Sequence, residues 1–102
     1  MSIKKQFIKN KSVCKVTFRV PKEVSSGAKA VNVVGEFNGW DMNATPMKPH
    51  KNGSFSTTIN LDVNKKYQFR YVMDGVGWKN DLEADNHIHC PYGNCENSVI
   101  II

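Results

Sequence analysis

The chain has no apolar run near the roughly 20 residues that a membrane-spanning helix needs, so a helical span and a membrane partner are not expected. Its basic start, MSIKKQFIKNK, is followed by no apolar stretch and does not have the form of a secretory leader. The expected location is therefore the cytoplasm. Cysteine is scarce: three residues, an odd number, do not make a disulfide framework. In a reducing cytoplasm all three are expected to be thiols. Helical periodicity is missing as well, since no 11-residue window carries an apolar stripe at a spacing of 3.6. There is no glycine-rich phosphate loop and no nucleophile elbow.

Acidic residues are also in the minority, nine against fourteen Lys and Arg, for a net charge of +5. A cationic balance can serve nucleic acid. Here Lys4, Lys5, Lys9 and Lys11 cluster at the start and the remainder are scattered, so a solvated surface is expected and nucleic acid is not. Glycoside hydrolysis needs two carboxyl groups facing one another across a substrate. Asp81, Glu83 and Asp85 instead alternate along one polar segment and are expected to be solvated loop charges. No enzyme activity is expected. His87, His89, Cys90 and Cys95 are all ligand types for zinc, but His89 and Cys90 are adjacent and their side chains diverge. No metal site and no cofactor are expected.

What the sequence does contain is alternation. Cys14, Val16, Phe18 and Val20 interleave with Lys15, Thr17 and Arg19; Phe55 to Leu61 and Tyr67 to Met73 repeat the pattern. A period of two is the mark of a half-buried strand. Ala30 to Phe37 is a further, near-continuous apolar strand, and Ser98 to Ile102 closes the chain. Asp74-Gly75 is a hairpin turn, with Val76 to Lys79 as the return strand. The segments 22–30, 41–53 and 80–95 are expected to be irregular. Six or seven short strands of this kind predict an all-β, immunoglobulin-like antiparallel β-sandwich. Residues 1–12 are expected to form a polar N-terminal tail and 13–102 a single domain, either free-standing or cut out of a longer context.

Two tryptophans, Trp40 and Trp78, both stand beside turns. A sugar offers apolar C–H faces and a hydroxyl rim, so its site needs flat exposed aromatics together with amides and charged donors. Trp40 and Trp78 suit the faces; Asn38, Arg70, Lys79 and Asn97 suit the rim. The alternative is that the two rings cap one end of the core.

The stretches VNVVGEFNGWD, YQFRYVMDG, GWKNDLEADN and PYGNCENSVIII, in this order over residues 13–102, resemble the family 48 carbohydrate-binding modules. That family includes the N-terminal domains of isoamylase and glycogen-branching enzymes and the glycogen-binding domain of the AMP-activated protein kinase β-subunit. The resemblance implies an early-set immunoglobulin-like sandwich that binds α-1,4-glucan without catalysis. It implies that Trp40 and Trp78 stack on glucose rings, that Arg70 replaces a lysine of the family, and that Asn97 is the asparagine before the last strand. The chain departs from the family at Cys90 and Cys95. The competing expectation is an accessory domain of the same fold that docks on a glucan-metabolising enzyme or a regulatory partner without gripping sugar.

Overall fold

The computed structural model describes residues 2–9, 11–25, 27–89 and 96–102. Their strands are β1 (Ser2–Phe7), β2 (Val13–Val20), β3 (Val31–Gly35), β4 (Lys48–Pro49), β5 (Phe55–Asp62), β6 (Lys66–Met73), β7 (Gly77–Lys79), β8 (Asn86–His89) and β9 (Glu96–Ile101). They pair antiparallel into two sheets, one in the order β1-β2-β5-β4 and the other in the order β3-β6-β9-β8, with β7 also on β6. The fold is the expected immunoglobulin-like β-sandwich. No helix among the described residues is long and apolar enough to cross a membrane.

The alternating residues do what their period requires. Cys14, Val16, Phe18 and Val20 of β2 meet Val31 and Val33 of β3 and Phe69, Tyr71 and Met73 of β6 in one core between the sheets. Phe18 packs edge-on to Phe69, ring centroids 5.1 Å apart, which is the favoured aromatic geometry. Cys14 is a fully buried free thiol, a small apolar core residue. Cys90 and Cys95 lie outside the described residues.

Four expectations about the path of the chain need correction. The segment expected as a polar tail contains β1, paired along its whole length from Ser2↔Arg19 to Phe7↔Cys14. Edge strands need only one apolar face, and here lysines on an edge also discourage pairing with another chain. The segment 80–95 contains β8, paired to β9 from Asn86↔Val99 to His89↔Glu96. The segment 22–30 contains a single helical turn, α1 (Lys22–Ser25), whose Val24 and Ser25 amides bond back to the Pro21 carbonyl. The third strand stops at Gly35 and passes into a 3-10 turn over Glu36–Asn38. Phe37 therefore packs against the core from a turn instead of from a strand.

Of the three acidic residues expected to be solvated, Glu83 is exposed as expected, but Asp81 and Asp85 are engaged. Asp81 is completely buried. Asp85 accepts bonds from Lys5 Nζ at 2.6 Å and from the Ile101 amide at 2.7 Å, tying β1 to β9 across the sandwich edge. Partial burial works to raise the Asp85 carboxyl, but the Ile101 N–H and the Lys5 ammonium outweigh it and hold the carboxyl below its ordinary value. A carboxyl depressed in the folded state stabilises it above its unfolded value, about pH 4, and that contribution is lost as pH falls through the folded value. Asp85→Asn is accordingly expected to lower the urea midpoint at pH 7 and to flatten its decline towards acid pH. Urea titrations of parent and variant across the acid range check this.

Candidate carbohydrate-binding face

The site is organised by β6, whose two faces do different work. Phe69, Tyr71 and Met73 point into the core, so Gln68, Arg70 and Val72 point outward. Three valines share this outer face, and all are buried although none belongs to the core: Val34 at 0%, Val72 at 0% and Val99 at 4% exposure. The register explains why. Val34 lies opposite Arg70, Val72 opposite Trp78, and Val99 opposite Gln68. Each valine has a large side chain directly across the ladder, where cross-strand neighbours cover one another. The result is a dry apolar floor with a polar and aromatic layer above it.

Arg70 sits where β6 changes partner. Up to Phe69↔Ser98 it pairs with β9, and from Tyr71↔Lys79 it pairs with β7. One step beyond the last β9 pair, Arg70 stands beside Asn97. The Arg70 guanidinium lies 4.8 Å from the centroid of the Trp78 ring, within cation–π range. Trp78 is 41% exposed and has no aromatic neighbour among the described residues. Asn97 is buried; its amide donates to Gln68 Oε1 at 3.0 Å, and the Gln68 backbone N–H in turn donates to the Glu36 carboxylate at 2.7 Å. Among the described residues, two buried side-chain atoms have no hydrogen-bond partner: Arg70 Nε and Asn97 Oδ1. Buried polar groups are nearly always satisfied, so a donor and an acceptor left open side by side need an explanation.

A second set of bonds holds this face in shape. Tyr71 Oη donates to Asp81 Oδ2 at 2.7 Å, and the Glu83 amide donates to Asp81 Oδ1 at 2.9 Å. The Asp81 amide donates to Ser98 Oγ, which donates to Asn80 Oδ1, while Asn80 Nδ2 donates to the Glu96 carbonyl. His87 Nε2 lies 2.7 Å from the Asp81 carbonyl; a carbonyl only accepts, so Nε2 carries a proton. Burial first, then the charge and the hydrogen bond of Asp81, raise the Tyr71 phenol well above its ordinary value. Tyr71 thus remains a neutral donor. The network locks the exit of β7, which carries Trp78, onto β9, which carries Asn97.

Trp40 is positioned differently. It follows Gly39 in a turn where both residues have positive φ, 60° for Trp40 and 68° for Gly39. That conformation costs a residue with a Cβ about 1–2 kcal/mol, and strain of this kind concentrates at functional sites. The Trp40 amide donates to the Gly35 carbonyl at 2.9 Å, and the ring is half-buried. From strand spacing and rise, Gly35 and Trp78 stand on the order of 15 Å apart on opposite flanks of β6.

Of the residues expected at the site, Arg70, Trp78 and Asn97 come together, and Trp40 occupies the turn at the end of β3. Two do not join them. Asn38 uses its amide inside the turn, donating to the Val33 carbonyl and Thr45 Oγ1 while its Oδ1 accepts the Gly35 N–H. Lys79 neighbours Trp78 in sequence and therefore points to the opposite face, opposite the inward-facing Tyr71. Gln68 and the valine floor were absent from the expected set. Their parity with Arg70 along β6 is the signal that would have found them.

The sequence profile of carbohydrate-binding module 48 (isoamylase N-terminal domain) matches residues 10–92. The chain belongs to this carbohydrate-binding family. No curated protein was found to match it.

Two variants test the scaffold. A Cβ at Gly35 would stand 2.5 Å from the Gln68 carbonyl oxygen and 2.7 Å from Phe69 Cβ, so β3 and β6 would have to separate. Gly35→Ala should cost about 1–3 kcal/mol, as overpacking does, measured by chemical denaturation. Tyr71→Phe leaves one oxygen of buried Asp81 without its donor and should likewise cost about 1–3 kcal/mol. It should also change the Trp78 fluorescence of the folded protein, because the β7 exit loses an anchor.

Proposed function

We propose that this chain binds linear α-1,4-glucan, without catalysis, on the outer face of the five-stranded sheet. The observation that carries the reading is the half-exposed Trp78 beside the open donor and acceptor, Arg70 Nε and Asn97 Oδ1. A sugar hydroxyl both accepts and donates, so it satisfies the two together. They are covered while the guanidinium rests on Trp78. Binding therefore swings Arg70 off the ring, exchanging a cation–π contact of about 0.5–1 kcal/mol at an exposed site for two hydrogen bonds and a freed aromatic face. Trp40 supplies a second ring further along the chain, and the separation of the two suits an oligosaccharide over a single hexose. The valine floor excludes water beneath the polar layer and so strengthens its bonds.

The magnitudes are modest. Each stacked ring contributes on the order of 1–3 kcal/mol through apolar area removed from water, and each hydroxyl bond about 0.5–1.5 kcal/mol. Ordering the oligosaccharide takes back much of this. A dissociation constant of roughly 10 μM to 1 mM follows. In isothermal titrations with maltoheptaose, Trp78→Ala and Trp40→Ala are each expected to weaken binding about tenfold or more, the loss of one stacked ring, with the cooperative unfolding transition retained. Arg70→Ala is expected to weaken it less. Folded tryptophan variants that bind like the parent would place the site elsewhere. Variants that unfold would mean that the rings are core, which favours the protein-docking reading.

A further inference from the structure

The outer face of the other sheet carries a depression of about 390 Å³, lined by Lys4, Thr17, Arg19, His50, Asn52, Ser54 and Ser56. The strand register builds it. Lys4 lies opposite Thr17, and Arg19 opposite Ser56, so all four project from the same face of β1, β2 and β5. The turn after β4 adds His50 and Asn52. Among the described residues no carboxylate lines the depression, and neither the Lys4 nor the Arg19 side chain has an ion pair or hydrogen bond. Two more cations, Lys15 and Lys48, share this face. Its carboxylate, Asp62, stands at the far end beside Lys65, at 3.5 Å. Unpaired cations around a concave, hydroxyl-lined surface attract an anion and leave it hydrogen-bond donors to settle on.

The lining narrows the class. Its volume is that of a small-molecule site and exceeds what a lone inorganic anion fills. No tryptophan, tyrosine or phenylalanine lines it, so a nucleobase would find only the Arg19 guanidinium and the His50 imidazole, whose Nε2 is already engaged with Ser56, to stack on. Hydroxyls and an amide are the partners that a polyhydroxylated ligand uses. His50 Nε2 and Ser56 Oγ already lie 2.6 Å apart, and Thr17 and Thr58 hydroxyls 2.8 Å apart, which fixes the direction of these groups. We infer that this depression binds a hexose phosphate, either free or as a phosphorylated unit of a glucan, with Arg19 and Lys4 on the phosphate and Thr17, Ser56 and Asn52 on the sugar hydroxyls. The site lies on the opposite sheet from Trp78 and does not rest on the glucan reading.

The test is a set of ¹⁵N-detected titrations of the full chain with glucose 6-phosphate, inorganic phosphate and glucose. Glucose 6-phosphate is expected to shift the signals of Thr17, Arg19 and Ser56 with millimolar affinity, more tightly than either other compound, and to leave the Trp78 indole unmoved. Arg19→Gln, an exposed substitution outside the core, should weaken it about fivefold, the loss of one charge-assisted bond. A glucan bearing phosphate monoesters, compared with the same glucan after phosphatase treatment, separates the two sources. Tighter binding than glucose 6-phosphate identifies the polymer unit, and equal or weaker binding the free sugar phosphate. Inorganic phosphate binding as tightly as glucose 6-phosphate, or no shift on this face, would each overturn the assignment.

Discussion

The hydrogen bond from Tyr71 to the buried Asp81 carboxylate is the constraint on which the rest of the candidate face depends. A carboxylate is costly to bury unless its oxygens are paired, and here Tyr71 and the Glu83 amide each take one. Because Asp81 must stay where these donors reach it, the chain leaving β7 has a single route past Ser98 and Asn80. That route places Trp78 beside β6 and Asn97 beside Arg70. Electrostatics in the core thus sets the geometry of a surface on the other side of the sheet.

The same strand serves both sides. Every second residue of β6 builds the aromatic core, with Phe69 and Tyr71 packed edge to face at 5.7 Å. The residues between them carry Gln68, Arg70 and Val72 to the outside. A site built on a central strand, with a dry valine floor beneath it, loses little freedom when a ligand arrives, which is the usual advantage of a preorganised surface. In the proposed binding the group that moves is the Arg70 side chain, which lies 4.8 Å from the Trp78 ring centroid, in a contact weak enough to exchange. Open valences at Arg70 Nε and Asn97 Oδ1 raise the free energy of this face, and in the proposed binding a sugar hydroxyl lowers it.

The fold was legible because alternation survives in the sequence wherever one strand face is core: β2, β5 and β6 could be placed by period alone. β1 and β8 could not, because Lys4, Lys5 and Gln6, or Asn86 and His87, lie on sheet edges where polar residues are tolerated on both faces. The placement of Arg70 and Trp78 was legible from their position around the Asp74-Gly75 hairpin. Lys79 was misplaced by proximity in sequence, since one residue along a strand reverses the face. Asn38 was misplaced because turn chemistry consumes its amide, and no composition argument shows that in advance. Asp81 was read as solvated because its burial depends on Tyr71 and Ser98, ten and seventeen residues away.

The most direct measurement is a map of amide and indole shifts as maltoheptaose is added to the ¹⁵N-labelled chain. Shifts centred on the Trp78 and Trp40 indoles, Gln68, Arg70 Nε and Asn97, with Thr17, Arg19 and Thr58 on the opposite sheet unmoved, are the predicted result. Shifts confined to any other face, or none at saturating oligosaccharide, would contradict the account.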